Sequence, residues 1–134
     1  MAYEWEMHSE QISKALAESI RRGLAVPREQ FIDALERVAA CRRLLDEVFA
    51  EVDVLLTPTA QGEAPLGLSF TGDHKFQSIW TQLHVPTITL PTHVGPNAMP
   101  IGIQLVAPRY ADNRLLAIAQ LIFQILGRGP LVET

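Results

Sequence analysis

Apolar residues recur at three- and four-residue steps over the first fifty positions, and in short bursts after that. Ile12, Leu16 and Ile20 mark one face of a helix that Gly23 stops near Arg22, with Ser9 as its expected N-cap. Ahead of it Tyr3, Trp5 and Met7 alternate, which reads as a short extended entry. Pro27 suits the first turn of a second helix. Phe31, Leu35, Val38, Leu45, Phe49 and Val52 carry its apolar face, and Arg42 breaks the row. That spacing predicts a helix over 28–51, about 36 Å long at 1.5 Å per residue. Asp33, Glu36, Arg37, Arg43, Asp46 and Glu47 mostly fill its wet side. The short link between the two helices predicts an antiparallel pair.

Residues 54–57 are apolar and β-rich, and Pro58 ends them, so they read as a strand. Pro58, Gly62, Pro65, Gly67 and Gly72 make residues 58–74 a long loop, a kind that is functional or shaped by a neighbour. A short helix is predicted over 75–84. Strands are predicted over 87–91 and 101–106, joined through a turn at Gly95-Pro96-Asn97. Asp112 caps a last helix over 113–126, and Gly127 closes it. Its apolar residues, from Leu115 and Leu116 to Ile125 and Leu126, run nearly all round, which predicts burial on more than one side. The fold class is α/β: an N-terminal helix pair over 1–52, then a small mixed β-sheet with flanking helices over 53–134, read as a single domain.

Composition narrows the function. The 134 residues are 48% hydrophobic and 19% charged, with net charge −4 and pI about 5.5. That balance argues against a nucleic-acid or anionic-membrane surface. One cysteine, Cys41, excludes a disulfide framework and a multi-cysteine zinc site. No run of 18 apolar residues occurs, so no membrane span is expected. No basic-then-apolar leader is legible, and the expected compartment is the cytoplasm. The charges are uneven: 18 fall in residues 1–53 and 8 in the remaining 81. A domain that covers its own surface needs nearer a quarter of its residues charged. The charge-poor stretch therefore expects cover, either from a second copy in a homo-oligomer or from a missing portion of a larger protein.

The residues offer no complete active site. Nucleophilic hydrolysis needs an activated Ser, Cys or Thr, a base beside it and donors for the oxyanion. Cys41 sits mid-helix, away from any electropositive helix start, and reads as inert packing. Ser9, Ser13, Ser19, Ser69 and Ser78 lie in no glycine-flanked turn, and neither Lys14 nor Lys75 has a serine placed to couple with it. His8, His74, His84 and His93 are spaced 66, 10 and 9 apart, unlike metal-ligand pairs. No glycine pattern cradles phosphate. No catalytic residue, cofactor or metal is assigned.

Three stretches nevertheless form a pattern: 53–59 (DVLLTPT), 80–91 (WTQLHVPTITLP) and 100–116 (PIGIQLVAPRYADNRLL). In order and spacing they resemble the C-terminal part of the amidase signature family, with its D-LL-P strand, its W-T/N-x-x-G-x-P segment and its P-x-G-x-Q strand followed by D-x-x-L-L. The resemblance implies the family fold, a large mixed sheet flanked by helices, of which this region would supply strands and outer helices. It implies a carboxamide hydrolase that works through an acyl-serine, using a Ser–Ser–Lys triad held in a Gly/Ser-rich region. No residue here matches that triad, so the resemblance implies a segment inactive alone, acting on a small amide only in the full enzyme. Phe76, Trp80 and Thr81 fall where the family forms the acyl-binding side of its site, and become substrate-pocket candidates. Gln104 takes the G-x-Q position, with structural hydrogen bonding as its expected role. Two departures stand out. His84 replaces the usual glycine, so a positive φ there would cost about 1 kcal/mol. Asn97-Ala98-Met99 replaces the usual Gly-Leu approach to Pro100.

Overall fold

The computed structural model describes residues 2–126 and divides the chain into two compact units, Met1–Val38 and Ala39–Thr134. The first unit holds helix α1 (Ala2–Met7), a 3-10 turn (Ser9–Gln11), helix α2 (Lys14–Leu24) and the first part of helix α3 (Arg28–Glu51). The expected extended entry is α1 instead. An isolated strand leaves its backbone groups unpaired, whereas a helical turn satisfies them locally. The alternating aromatics serve the turns: Tyr3 meets His8 edge to face at 5.7 Å, and the Arg21 guanidinium lies 5.5 Å from the Trp5 ring centre. The cap also moves. Ile12 is extended (φ −83, ψ 132), so α2 starts after it, and the Ser13 hydroxyl accepts the Leu16 N–H at 3.3 Å. Ser9 instead opens the 3-10 turn. The helix runs one residue past Gly23, to Leu24.

Helix α3 keeps its expected limits. Its half-buried residues Val38, Arg42, Leu45 and Phe49 follow at four- and three-residue steps. Arg42 thus belongs to the row it was expected to break. Phe31, Leu35 and Val52 are exposed.

The second unit is built on a three-stranded sheet of β1 (Leu55–Pro58), β2 (Thr87–Val94) and β3 (Pro100–Val106), in the order β1-β3-β2. Both pairings are antiparallel, so the expected mixed sheet is corrected here. The reason is connectivity. A tight turn at 95–99 joins β2 to β3 as a hairpin, and β1 reaches the far edge of β3 through the 59–74 loop and helix α4 (Lys75–Leu83). Prolines respect this order: Pro58 and Pro91 lie on edge strands, and Pro100 opens the central one. Strand β2 runs three residues past its expected end. A bulge at Thr92 lets pairing resume at His93 opposite Ile101, and the Thr92 hydroxyl donates to the Ile101 carbonyl at 3.4 Å.

Register sets the two faces. Ile88 pairs with Leu105 and Leu90 with Ile103, which places all four on one face beneath helix α5 (Asp112–Leu126). Leu90, Leu105, Ala107, Leu115 and Ala119 form the core, with Leu105 fully buried. Burying one such leucine contributes about 1.5–3 kcal/mol. Helix α5 was expected to be covered on several sides. Among the described residues only its sheet-facing stripe is covered, and Leu116, Leu121, Ile125 and Leu126 are exposed. The Gly127 stop lies outside the described residues. Arg114 of α5 pairs with Asp53 just ahead of β1, an exposed contact of small energetic weight. No helix among the described residues is long and apolar enough to cross a membrane.

Candidate functional site

The sheet face away from α5 carries a polar row: Thr57, Gln104 and Thr89 are direct register partners across the three strands. Gln104 is only 3% exposed, so its amide needs partners. Its Nε2 donates to Thr57 Oγ1 at 3.2 Å and to the Phe76 carbonyl at 3.5 Å, which ties the sheet to α4. The structural role expected for the G-x-Q glutamine is the one observed.

Helix α4 ends in a fully accounted terminus. His84 takes the left-handed conformation (φ 57, ψ 39), the one its place in a glycine position anticipated. Its N–H donates to the Thr81 carbonyl at 3.2 Å, and the Val85 N–H donates to the Trp80 carbonyl at 3.3 Å. This is the Schellman pattern, and it satisfies two of the four free carbonyls. Arg42 of α3 satisfies the others, donating from Nε to the Leu83 carbonyl at 3.2 Å and from Nη2 to the Gln82 carbonyl at 2.7 Å. A cation at a helix C-terminus also meets the negative end of its dipole.

The pocket candidates sit on this helix. Phe76 and Trp80 are half-buried and Thr81 is exposed. The Thr81 hydroxyl donates to the Gln77 carbonyl at 3.3 Å. The Trp80 indole N–H is buried and has no hydrogen-bond partner among the described residues. Cys41, read as inert packing, is exposed, because the buried row of α3 passes through Val38, Arg42 and Leu45 instead. No group of three His, Cys, Asp or Glu side chains among the described residues could hold a metal.

A cavity of about 630 Å³ opens elsewhere, between the 59–73 segment and the sheet. None of Phe76, Trp80 and Thr81 lines it. Glu63 closes its loop side by reaching the β2–β3 turn. The carboxylate accepts the Asn97 N–H at 2.9 Å, the Asn97 Nδ2 at 2.6 Å and the Met99 N–H at 3.1 Å. Desolvation raises the Glu63 pKa, but these donors together outweigh it and hold the carboxyl below its ordinary value. Gly95 lies opposite, where any Cβ would overlap the carboxylate. Ala98 turns through φ 61 to deliver the Met99 N–H.

The family model described as Amidase matches residues 3–116. The chain belongs to the amidase family. Its relatives include a mitochondrial glutamyl-tRNA(Gln) amidotransferase subunit of Aedes aegypti, 32% identical over 108 residues. That match covers 71% of this chain and 22% of the relative. The corresponding subunit of Lachnospira eligens is 30% identical over 105 residues, covering 73% of this chain and 22% of the relative. A crystal structure of an amidase superposes with a TM-score of 0.78 at 28% identity, covering 92% of this chain and 31% of that one. The amidase chain described here thus spans about a fifth to a third of the length of the proteins it matches.

Two of the residues that organise this amidase segment went unassigned in the sequence. Arg42 signalled itself as a lone charge within an apolar helical row, without naming its partner 40 residues away. Glu63 is the only charged residue between Val54 and Gly72, a signal that a polar contact is needed there.

Proposed function

We propose that this chain is the C-terminal segment of an amidase-type hydrolase that cleaves small carboxamides through an acyl-serine intermediate, and that it is inactive alone. The single observation behind this reading is the asymmetric match: 92% of the chain superposes on 31% of an amidase. The remainder of such a protein would bring the serine pair, the lysine and the oxyanion donors. This segment, a partial domain, would supply scaffold and one pocket wall. Phe76 and Trp80 are the apolar part of that wall and Thr81 its hydroxyl. The unpartnered Trp80 indole supports the assignment, since a buried donor calls for an acceptor from outside the segment. The partner is a catalytic portion N-terminal to this one, and the compartment is cytoplasmic.

The decisive experiment is complementation. The pure chain should give no amide hydrolysis. Co-expression with a catalytic portion of a related amidase should restore turnover of a simple aryl amide, and Trp80→Ala should weaken substrate affinity in the pair. Turnover by the pure chain would defeat the reading.

A second reading is a non-enzymatic homo-oligomer or ligand-binding remnant. The exposed Leu116, Leu121 and Ile125 of α5 favour it. Light scattering on the pure chain separates the two: a stable, well-folded oligomer supports self-association, and rescue only by the catalytic portion supports the split enzyme.

A further inference from the structure

We propose that the cavity beneath the 59–73 segment is a binding site for a small, uncharged, largely apolar molecule, and that Glu63 is the positioning residue that holds its wall. This site is distinct from the α4 wall above and does not depend on the amidase chemistry.

Size and composition come first. About 630 Å³ lies within the usual range for small-molecule sites, roughly 300–1,000 Å³. Phe70 and Pro65 face it from the loop, and Pro91, Pro100 and Ile101 from the sheet. Three of these five are prolines, whose fixed backbone leaves little freedom to lose when a ligand arrives. The floor is bare backbone at Gly102, where a Cβ would come 2.6 Å from Thr89 Cγ2 and 3.0 Å from the Leu90 carbonyl oxygen. The wall is fixed as well. Residues 59–74 contain no helix or strand, yet three donors of the β2–β3 turn grip Glu63 in the middle of that loop.

Charge then selects the ligand. Among the described residues no lysine, arginine or histidine lines the cavity, so an anion finds no counter-charge there. Its two acids are already engaged: Glu63 by Asn97 and Met99, and Asp73 by the Lys75 N–H at 2.9 Å and the Lys75 ammonium at 3.9 Å. A cation would have to displace these donors. Either ion would lose hydration without a partner. Thr59 and Thr89 hydrogen-bond each other at 3.3 Å, which leaves the Gln61 amide and the Thr71 hydroxyl as side-chain groups open to a neutral polar substituent.

The test uses the 134-residue chain and three matched probes: 2-naphthylacetamide, 2-naphthylacetate and 2-(2-naphthyl)ethylamine. Binding is read by saturation-transfer and chemical-shift NMR. The amide should bind at least tenfold more tightly than either ion, with shifts centred on residues 59–73 and 100–102. Ala64→Trp, which fills the cavity from an exposed loop position, should weaken the amide at least tenfold. Ala60→Trp does the same from another point of the wall should the first variant misfold. Glu63→Ala should weaken the amide and also raise hydrogen exchange at Asn97 and Met99. The proposal is overturned if the ions bind as well as the amide, if the shifts fall on α4, if both tryptophan variants bind normally, or if no probe binds. Hydrolysis is not part of the readout, so failure here is separable from failure of the amidase reading.

Discussion

Helix α3 and strand β3 make opposite use of their residues. Helix α3 has 24 residues and buries none of them fully, while β3 has seven and buries Gln104, Leu105 and Val106. The helix is charge-rich, and its apolar row is covered only from Val38 to Phe49. The strand is central, paired on both sides and roofed by α5. Stability in this chain therefore resides in the β2–β3–α5 sandwich, and an apolar residue on α3 is not by that fact a core residue. The same contrast explains why the charge-poor stretch reads as greasy in sequence and still exposes Leu66, Leu68 and much of α5.

The largest test of this contrast is Leu105→Ala against Leu44→Ala. The first should cost about 2–5 kcal/mol in denaturant unfolding, because it empties a fully buried site. The second, at a position 61% exposed, should stay within about 0.5 kcal/mol. Equal losses would break the comparison. Next comes Arg42→Ala, which strips two carbonyls of their charged donor. We expect a loss of about 1.5–3 kcal/mol and faster hydrogen exchange in the last turn of α4. No change would mean that α3 contributes nothing through its long-range polar contact.

A smaller, opposite effect should follow His84→Gly. Relief of the left-handed backbone should stabilise the chain by about 1 kcal/mol, seen as a higher melting temperature. Smallest globally is the Glu63 latch. Its folded pKa is depressed, so its contribution is present above the ordinary value of 4.5 and fades as pH falls through the lower folded value. Amide protection at Asn97 and Met99 should hold at neutral pH and be lost in acid, and Glu63→Gln should remove that pH dependence.

The legible parts of the fold were those written locally. Pro27 and the periodic run after it placed α3 at Arg28–Glu51, and the glycine-like site at His84 announced its backbone angle. Strand ends were less legible. Pro91 looked like a stop, and only the partner strand shows that an edge position and a bulge at Thr92 carry β2 onward. At the N-terminus, alternation at Tyr3, Trp5 and Met7 had no partner strand to give it meaning. The site was less legible still. Gln104 could be read from a motif, but the Glu63 grip spans 34 residues and the Arg42 cap 40. Contacts of that reach leave no periodic trace.

Exposure of Cys41 has a practical consequence. A lone thiol at the surface can join two molecules through oxidation in air, and such a covalent pair would imitate true self-association in a sizing column. Sizing therefore belongs under reductant or on Cys41→Ser. The same thiol, next in sequence to Arg42, offers a single attachment point for a maleimide fluorophore that reports on fraying of α4.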